Sequence, residues 1–372
     1  MIQQSSSPLW PRPKPGLRML LIATAGMLLC CAMSGCLSLG PRTLRADQVD
    51  YARALGDAKK REILALIVGL RYADAPAFLT VSQVIAGYTF TASASPFANS
   101  RPDPAGPAAG VTGIASYSDH PTFTFTPTTG EGYAKAYIHP LSPALILPLA
   151  DSGVPIDLLL RIAVQSIGGL SNAAMLGGPS GNGSPAFFEL LAVLRRLQLA
   201  GEASLQYKPS AEGGQVSLAL GLSRGNESPA AAADVRRVRE LLNLPPGTEP
   251  YTITYGNSVS TARNIPVETR SVLAILSDLG AEIDVPPADV NNGKTKPTIE
   301  LVGGEARPIV LVHSAKKIDG YAYTTVDYRG LRFWIDDSDF DSKYAFNIVQ
   351  DVMALAEETD SAHAPVVTVP AN

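Results

Sequence analysis

Apolar residues recur at helical spacing in several separate stretches of the chain. Ile63, Leu66, Ile67 and Leu70 predict a helix over 47–70, with Lys59, Lys60 and Arg61 exposed before its apolar end. Ile156, Leu159, Leu160, Val164 and Ile167 share one face of a second helix, opened by Pro155 and stopped by Gly168 and Gly169. Phe187, Leu190, Leu191, Leu194 and Leu197 form a third. Further helices are expected over 231–242, 268–279 and 339–357. Between these the period changes to two. FLTVSQVIAGYTFTAS (78–93) and VTGIASYSDHPTFTFTP (111–127) alternate β-branched or aromatic residues with small polar ones and read as paired strands. The Pro, Ala, Ser and Gly of 94–110 read as a loop between them. Strands are also expected over 203–207 and 215–220 and in YTITYG, IVLVH, YAYTTVDY and LRFWI. The pattern defines an α+β protein of mixed helices and mainly antiparallel strands. It forms one large or two smaller domains, with 243–250 (NLPPGTEP) as the candidate boundary.

The beginning of the chain follows a different rule. Residues 19–36, MLLIATAGMLLCCAMSGC, hold all three cysteines, and Arg12, Lys14 and Arg18 precede them without an acid. A positive segment, a short apolar run and small residues make a secretory signal. The run over 19–32 falls short of the roughly 20 residues that a bilayer-spanning helix needs. Met33-Ser34-Gly35-Cys36 resembles the lipobox of bacterial lipoproteins, with Met33 in place of the usual Leu. The resemblance implies cleavage before Cys36, a diacylglyceryl thioether on its sulfur and an acyl group on its amine. Leu37 follows, where an Asp would imply retention at the inner membrane, so the implied address is the outer membrane facing the periplasm. The stretch GLRYADAPAFLTVSQVIAGY (69–88) also resembles an uncharacterised group of proteobacterial lipoproteins, a likeness that brings no activity with it. The expected organisation is a signal peptide (1–35), a lipid-anchored tether (36–46), α+β regions over 47–242 and 251–357, and a tail (358–372).

Composition narrows the function. The formal net charge is −4, and removal of the cationic leader makes the remainder more acidic, so the basic footprint of a nucleic-acid binder is missing. Cys30 and Cys31 leave with the leader and Cys36 is alkylated, which leaves no thiol for a disulfide, a nucleophile or a metal site. The chain is 46 % hydrophobic, enough to build a core by packing alone.

Candidate chemistry is sparse. Asp337, Asp339 and Asp341 alternate like the start of a calcium loop, but Ser342 and Ile348 stand where its Gly and Glu belong. They read better as the N-terminus of the last helix, with Ser338 or Asp337 as its cap and Lys343 paired locally. Ser314 and Lys317 match S-x-x-K formally, yet the companion S-D-N and K-T-G elements are missing from the chain. His120, His139, His313 and His363 form no paired metal motif, and the Gly178–Asn182 stretch lacks the last Gly of a nucleophile elbow. No catalytic residue, cofactor or metal site is therefore expected. Arg71 and Tyr72 beside Asp74, and Arg332 and Trp334 beside Asp336, carry the residue types enriched at binding hot spots and make the candidate interaction surface. The reading is a membrane-anchored envelope lipoprotein that acts as an interaction or assembly component with an envelope protein partner. The alternative is a periplasmic hydrolase whose site is assembled from residues distant in sequence.

Overall fold

The computed structural model describes residues 40–85, 88–99, 108–119, 122–172, 183–208, 215–222, 228–246, 250–257, 259–298, 308–318 and 320–357. The chain divides into two compact units, Met1–Ala58 and Lys59–Asn372. In the first, the described residues are the opening turns of helix α1 (Gly40–Arg71), which starts before the expected position 47. All other described elements belong to the second unit.

From Lys59 onward α1 buries Ile63, Leu64, Ile67 and Val68, the face that its apolar spacing marked. Four strands follow as two antiparallel pairs nested in sequence. β1 (Leu79–Ile85) pairs with β4 (Thr122–Pro127), and β2 (Tyr88–Asn99) pairs with β3 (Ala108–Asp119), in a register running from Leu79↔Pro127 to Asn99↔Ala108. Much of the loop expected over 94–110 is therefore strand. Pro96 lies within β2, opposite Val111, and a two-stranded ribbon tolerates proline because each strand has an open edge. The ribbon leads into α2 (Gly130–Tyr133), which widens into a π turn over Ala134–Ile138. There Tyr137 stacks on Phe78 with ring centroids 3.7 Å apart and donates its hydroxyl to Glu357 Oε1 at 2.8 Å.

The main sheet takes its strands from distant parts of the sequence. α3 (Pro143–Ile146) and α4 (Ile156–Ala163) precede β5 (Val164–Ile167) and β6 (Leu170–Ser171). α5 (Pro185–Leu199), β7 (Ala203–Lys208), β8 (Gln215–Leu220), α6 (Pro229–Leu241), β9 (Tyr251–Tyr255) and β10 (Asn264–Thr269) follow. The strand order is β6-β5-β10-β9-β8-β7, antiparallel except for the parallel pair β9–β10. Strands from both sides of 243–250 sit in this one sheet, so the proline-rich segment is a connection within the unit. The fold is α+β. Ser184, Ser228 and Ser271 open α5, α6 and α7 (Val272–Ala281), each accepting a hydrogen bond from the backbone N–H three residues on, the N-cap arrangement that satisfies an orphan donor. Beyond the short α8 (Pro287–Asn291), a second sheet has the order β11 (His313–Ala315), β13 (Leu331–Asp336), β12 (Ala322–Tyr328). α9 (Phe340–Ala356) closes the described chain, with Asp339 as its N-cap and Lys343 paired with Asp337 at 3.2 Å. The cap falls one or two residues later than Ser338 or Asp337, because Asp336 already accepts from the backbone N–H and hydroxyl of Ser338.

Two expected helices meet strands instead. The second ends at Ala163, and 164–167 leave it as β5, turning at Gly168 and Gly169 (φ 56° and 84°) into β6. The helix expected from 268 starts at Val272, and Glu268 lies in β10. One side chain stands at both junctions. Arg270 follows β10 with its side chain only 4 % exposed. Its Nη1 donates to the carbonyls of Arg161 at 3.0 Å and Ile162 at 3.3 Å, and its backbone N–H donates to Ala163 O at 2.8 Å. These are the carbonyls that the end of α4 leaves without intrahelical partners, and Asn172 Nδ2 takes Arg161 O and Val164 O at 2.9 and 2.8 Å. On its other side Arg270 Nε lies 3.1 Å from Asp278 on α7.

α7 also approaches α1 without a side chain between them: a Cβ built on Gly280 would lie 2.9 Å from the carbonyl oxygen of Ile67, inside van der Waals contact. Removing one partner of a buried ion pair strands the other charge. Arg270→Met is therefore expected to lower the free energy of unfolding by roughly 3 to 5 kcal/mol, with Arg270→Met/Asp278→Leu recovering part of the loss in the same urea titration. A loss for the single variant below about 1 kcal/mol, the range of an exposed pair, would remove Arg270 from this role.

Candidate interaction surface

The two residue sets singled out in the sequence lie on opposite faces of the small sheet. α1 ends at Arg71, and the chain turns through Ala73 in the left-handed region (φ 61°). This turn sends Tyr72 inward, where it is 4 % exposed and packs its ring 5.3 Å from Tyr328 and 6.3 Å from Phe333. Its hydroxyl donates to Asp289 Oδ2 at 3.0 Å, and Lys294 holds the other oxygen of that carboxylate at 2.7 Å. Arg71 is buried as well: Nε donates to Ile283 O at 3.3 Å and Nη2 to Thr298 Oγ1 at 3.1 Å. Both residues belong to the packing beneath the surface. What faces solvent here is Arg329, which lies over the Tyr72 and Tyr328 rings and pairs with Asp74 at 3.0 Å, while the Tyr328 hydroxyl donates to the second oxygen of Asp74.

Phe333 turns toward Tyr72, so its neighbours Arg332 and Trp334 point to the other face by strand alternation. Arg332 pairs with Asp327 at 2.8 Å, directly across from it on β12, and Trp334 stacks on His313 at 5.3 Å. Asp336, expected beside them, is held by Ser338 instead. Ser314 lies on β11 and donates to Asp284 O at 3.0 Å, so the helical spacing that S-x-x-K chemistry requires is not formed. Cys36, His120, His363 and the Gly178–Asn182 stretch lie outside the described residues. Among the described residues, no group of three or more His, Cys, Asp or Glu side chains is placed to hold a metal ion, and no helix is long and apolar enough to cross a membrane.

The electrostatics at the Tyr72 corner hold charges in place. Burial, helped by the Asp289 hydrogen bond, pushes the Tyr72 hydroxyl up to about 12. Burial and Asp74 raise Tyr328, and the bonds from Lys294 and Tyr72 keep Asp289 below the usual carboxylate range. Hence Tyr72 is a neutral donor to an ionised acceptor, and neither is poised for proton transfer near neutral pH. Glu282, at the end of α7, is different: burial pushes its carboxyl up to about 7 against the pull of Arg161 and of the Ile309 N–H, which donates to it at 2.8 Å. The cavity between helices and main sheet is about 10 Å³ and aliphatic, bounded by Leu160, Leu194, Leu218 and Val267 among others. It holds a single water at most, and its lining offers that water no polar partner.

One exposed feature was only half legible in the sequence. Along the β2–β3 ribbon, residues 93–96 and 112–116 are exposed on both faces. The signal was slight: Ala94-Ser95 carries the alternation only two residues past position 93 before Pro96. Compared with protein-family models, curated proteins and solved structures, the chain matches none.

Glu282 supplies a pH test. The folded chain keeps its proton up to about pH 7, whereas the unfolded chain releases it near pH 4.3. Between these values the folded state binds more protons, so stability falls as pH rises, by on the order of 3 to 4 kcal/mol across the window, and levels off above it. Glu282→Gln keeps an acceptor for Ile309 and is expected to lack this component. Urea midpoints at about pH 5 and about pH 7 that shift equally in both proteins would assign the carboxyl an ordinary affinity.

Proposed function

We propose that the protein is an envelope lipoprotein, anchored through Cys36 to the outer membrane and facing the periplasm, that works as an interaction or assembly component. The observation that carries this reading is the order of features over 12–36: cationic residues, a short apolar run, small residues and Cys36. Two amide- and thioether-linked lipid sites supply more than one acyl chain, and at least two chains are needed for lasting attachment. The interaction role is supported by a wide exposed ribbon and by a Tyr72 corner whose ionisable groups are committed to internal pairs. The partner is expected to be another envelope component rather than a nucleic acid, in keeping with the net charge of −4.

Wild-type chain is expected to incorporate labelled palmitate and to partition into the detergent phase. Cys36→Ser should remain as uncleaved precursor and take up no label. Palmitate on the Ser variant would sink the assignment of Cys36.

A further inference from the structure

The β2–β3 ribbon lacks what keeps an exposed ribbon alone in water. Its strands are 12 residues each. Across both, Asp119 is the single Asp, Glu, Lys, Arg or His, in a chain that is 17 % charged. Among the described residues β2 and β3 pair only with each other, so each has an open edge of backbone donors and acceptors. Soluble proteins guard such edges with Lys, Pro or bulges; here Pro96 on β2 is the one guard of that kind, and the register from Tyr88↔Asp119 to Asn99↔Ala108 is unbroken.

The register also sorts the ribbon into two unlike faces. One carries the pairs Phe90↔Tyr117, Ala92↔Ala115, Ala94↔Gly113 and Pro96↔Val111. The other carries Thr89↔Ser118, Thr91↔Ser116 and Ser95↔Thr112, with Ile114 opposite Ser93 and Phe97 opposite Gly110 as its apolar exceptions, while the ribbon's one charge, Asp119, sits opposite Tyr88 at the very end of the first face. Alternation of apolar and small polar residues over about 10 positions marks strands with lipid on one side and water on the other. A strand of this length extends roughly 40 Å and, tilted by about 45°, spans close to 28 Å, enough for an apolar band of about 25 Å. Aromatic positions at one end, 88, 90 and 117, occupy the place of an interfacial girdle.

We infer that β2–β3 is an assembly arm whose partner is the same arm of a second copy: β3 of one chain pairs with β2 of the next, and the joined sheet turns its Ala and aromatic face to lipid and its Ser/Thr face to water. A hydrocarbon phase offers no partner to an unpaired backbone group, so hairpins entering it must pair until the sheet closes. The two edges of one arm differ, and repeating a β3-to-β2 contact is the heterologous pairing that generates rings. The inference rests on the lipoprotein reading for the membrane to which the arm is brought.

The test uses the full lipidated chain, whose Cys36 is blocked, in vesicles of phosphatidylethanolamine and phosphatidylglycerol. Chains carrying Ser93→Cys are mixed with chains carrying Thr112→Cys, Ile114→Cys or Ser116→Cys and oxidised; all four positions are exposed, and circular dichroism checks the fold. Mixed disulfide dimers are expected with at least one of the three, on the order of tenfold above Ser93→Cys homodimers, because a ring sets β2 beside β3 and never beside β2. A fluorophore on Ala94→Cys should be quenched by brominated lipid, and one on Ser95→Cys by aqueous iodide. Monomers alone would overturn the pairing. Lipid quenching without disulfides would assign the arm to a different envelope protein, and disulfides with iodide quenching at both positions would place the joined sheet in water. Each of these outcomes is read independently of palmitate on the wild type, which reports the lipoprotein reading.

Discussion

A guanidinium cannot shed its proton, so burying one obliges the fold to surround it with acceptors. Arg270 imposes that demand where α4 ends, where β10 ends and just before α7 begins. Burial works against its charge, and Asp278 and Glu282 work for it. The acceptors it takes are the very carbonyls that α4 would otherwise leave bare in the core, so two deficits cancel each other. The geometry that results is narrow. α4 must stop at Ala163, β5 must begin at once to pair with β10, and α7 must start within a turn to present Asp278. The Ser271 cap meets the last condition.

From that junction contacts lead outward through the second unit. β10 lies between β5 and β9, and the sheet extends through β8 to β7. α7 meets α1 at Gly280, and α1 delivers Tyr72 to the inner face of the small sheet. Glu282, one turn beyond Asp278, takes the N–H of Ile309, while Ser342 on α9 takes that of Leu311. A run of apolar residues that would otherwise seek a neighbouring strand is thereby held as irregular chain.

That last detail explains part of what the sequence could and could not disclose. IVLVH has the composition of a strand, yet the strand starts only at His313, because the preceding N–H groups are spent on side chains from elsewhere in the chain. Val164 to Ile167 fitted a helical face and a strand equally well, and the arbiter was an arginine about a hundred residues away. β10 was not among the expected strands, and it holds Pro266, a residue that disfavours a central strand, in the middle of the sheet. Elements decided by local terms were legible: the face of α5, the extents of β8, β12 and β13, and the start of α9 though not its cap. Of the candidate surface, residue types were visible and burial was not. Arg71 and Tyr72 look like hot-spot residues, and only the positive φ at Ala73 reveals that they turn inward.

The nesting of the ribbon sets an order in time. Its pairs run from Asn99↔Ala108, near neighbours in the chain, to Leu79↔Pro127 at the base, so it can zip from partners already close together. The main sheet must instead bring Val267 to Ile167 and hold it there, a closure across a far longer loop, which is slow. The hairpin is thus finished while the body that carries it is still open. A chain with a nearly uncharged, open-edged projection and an incomplete core is the form most prone to aggregate, and the projection is the part that needs shielding in that interval.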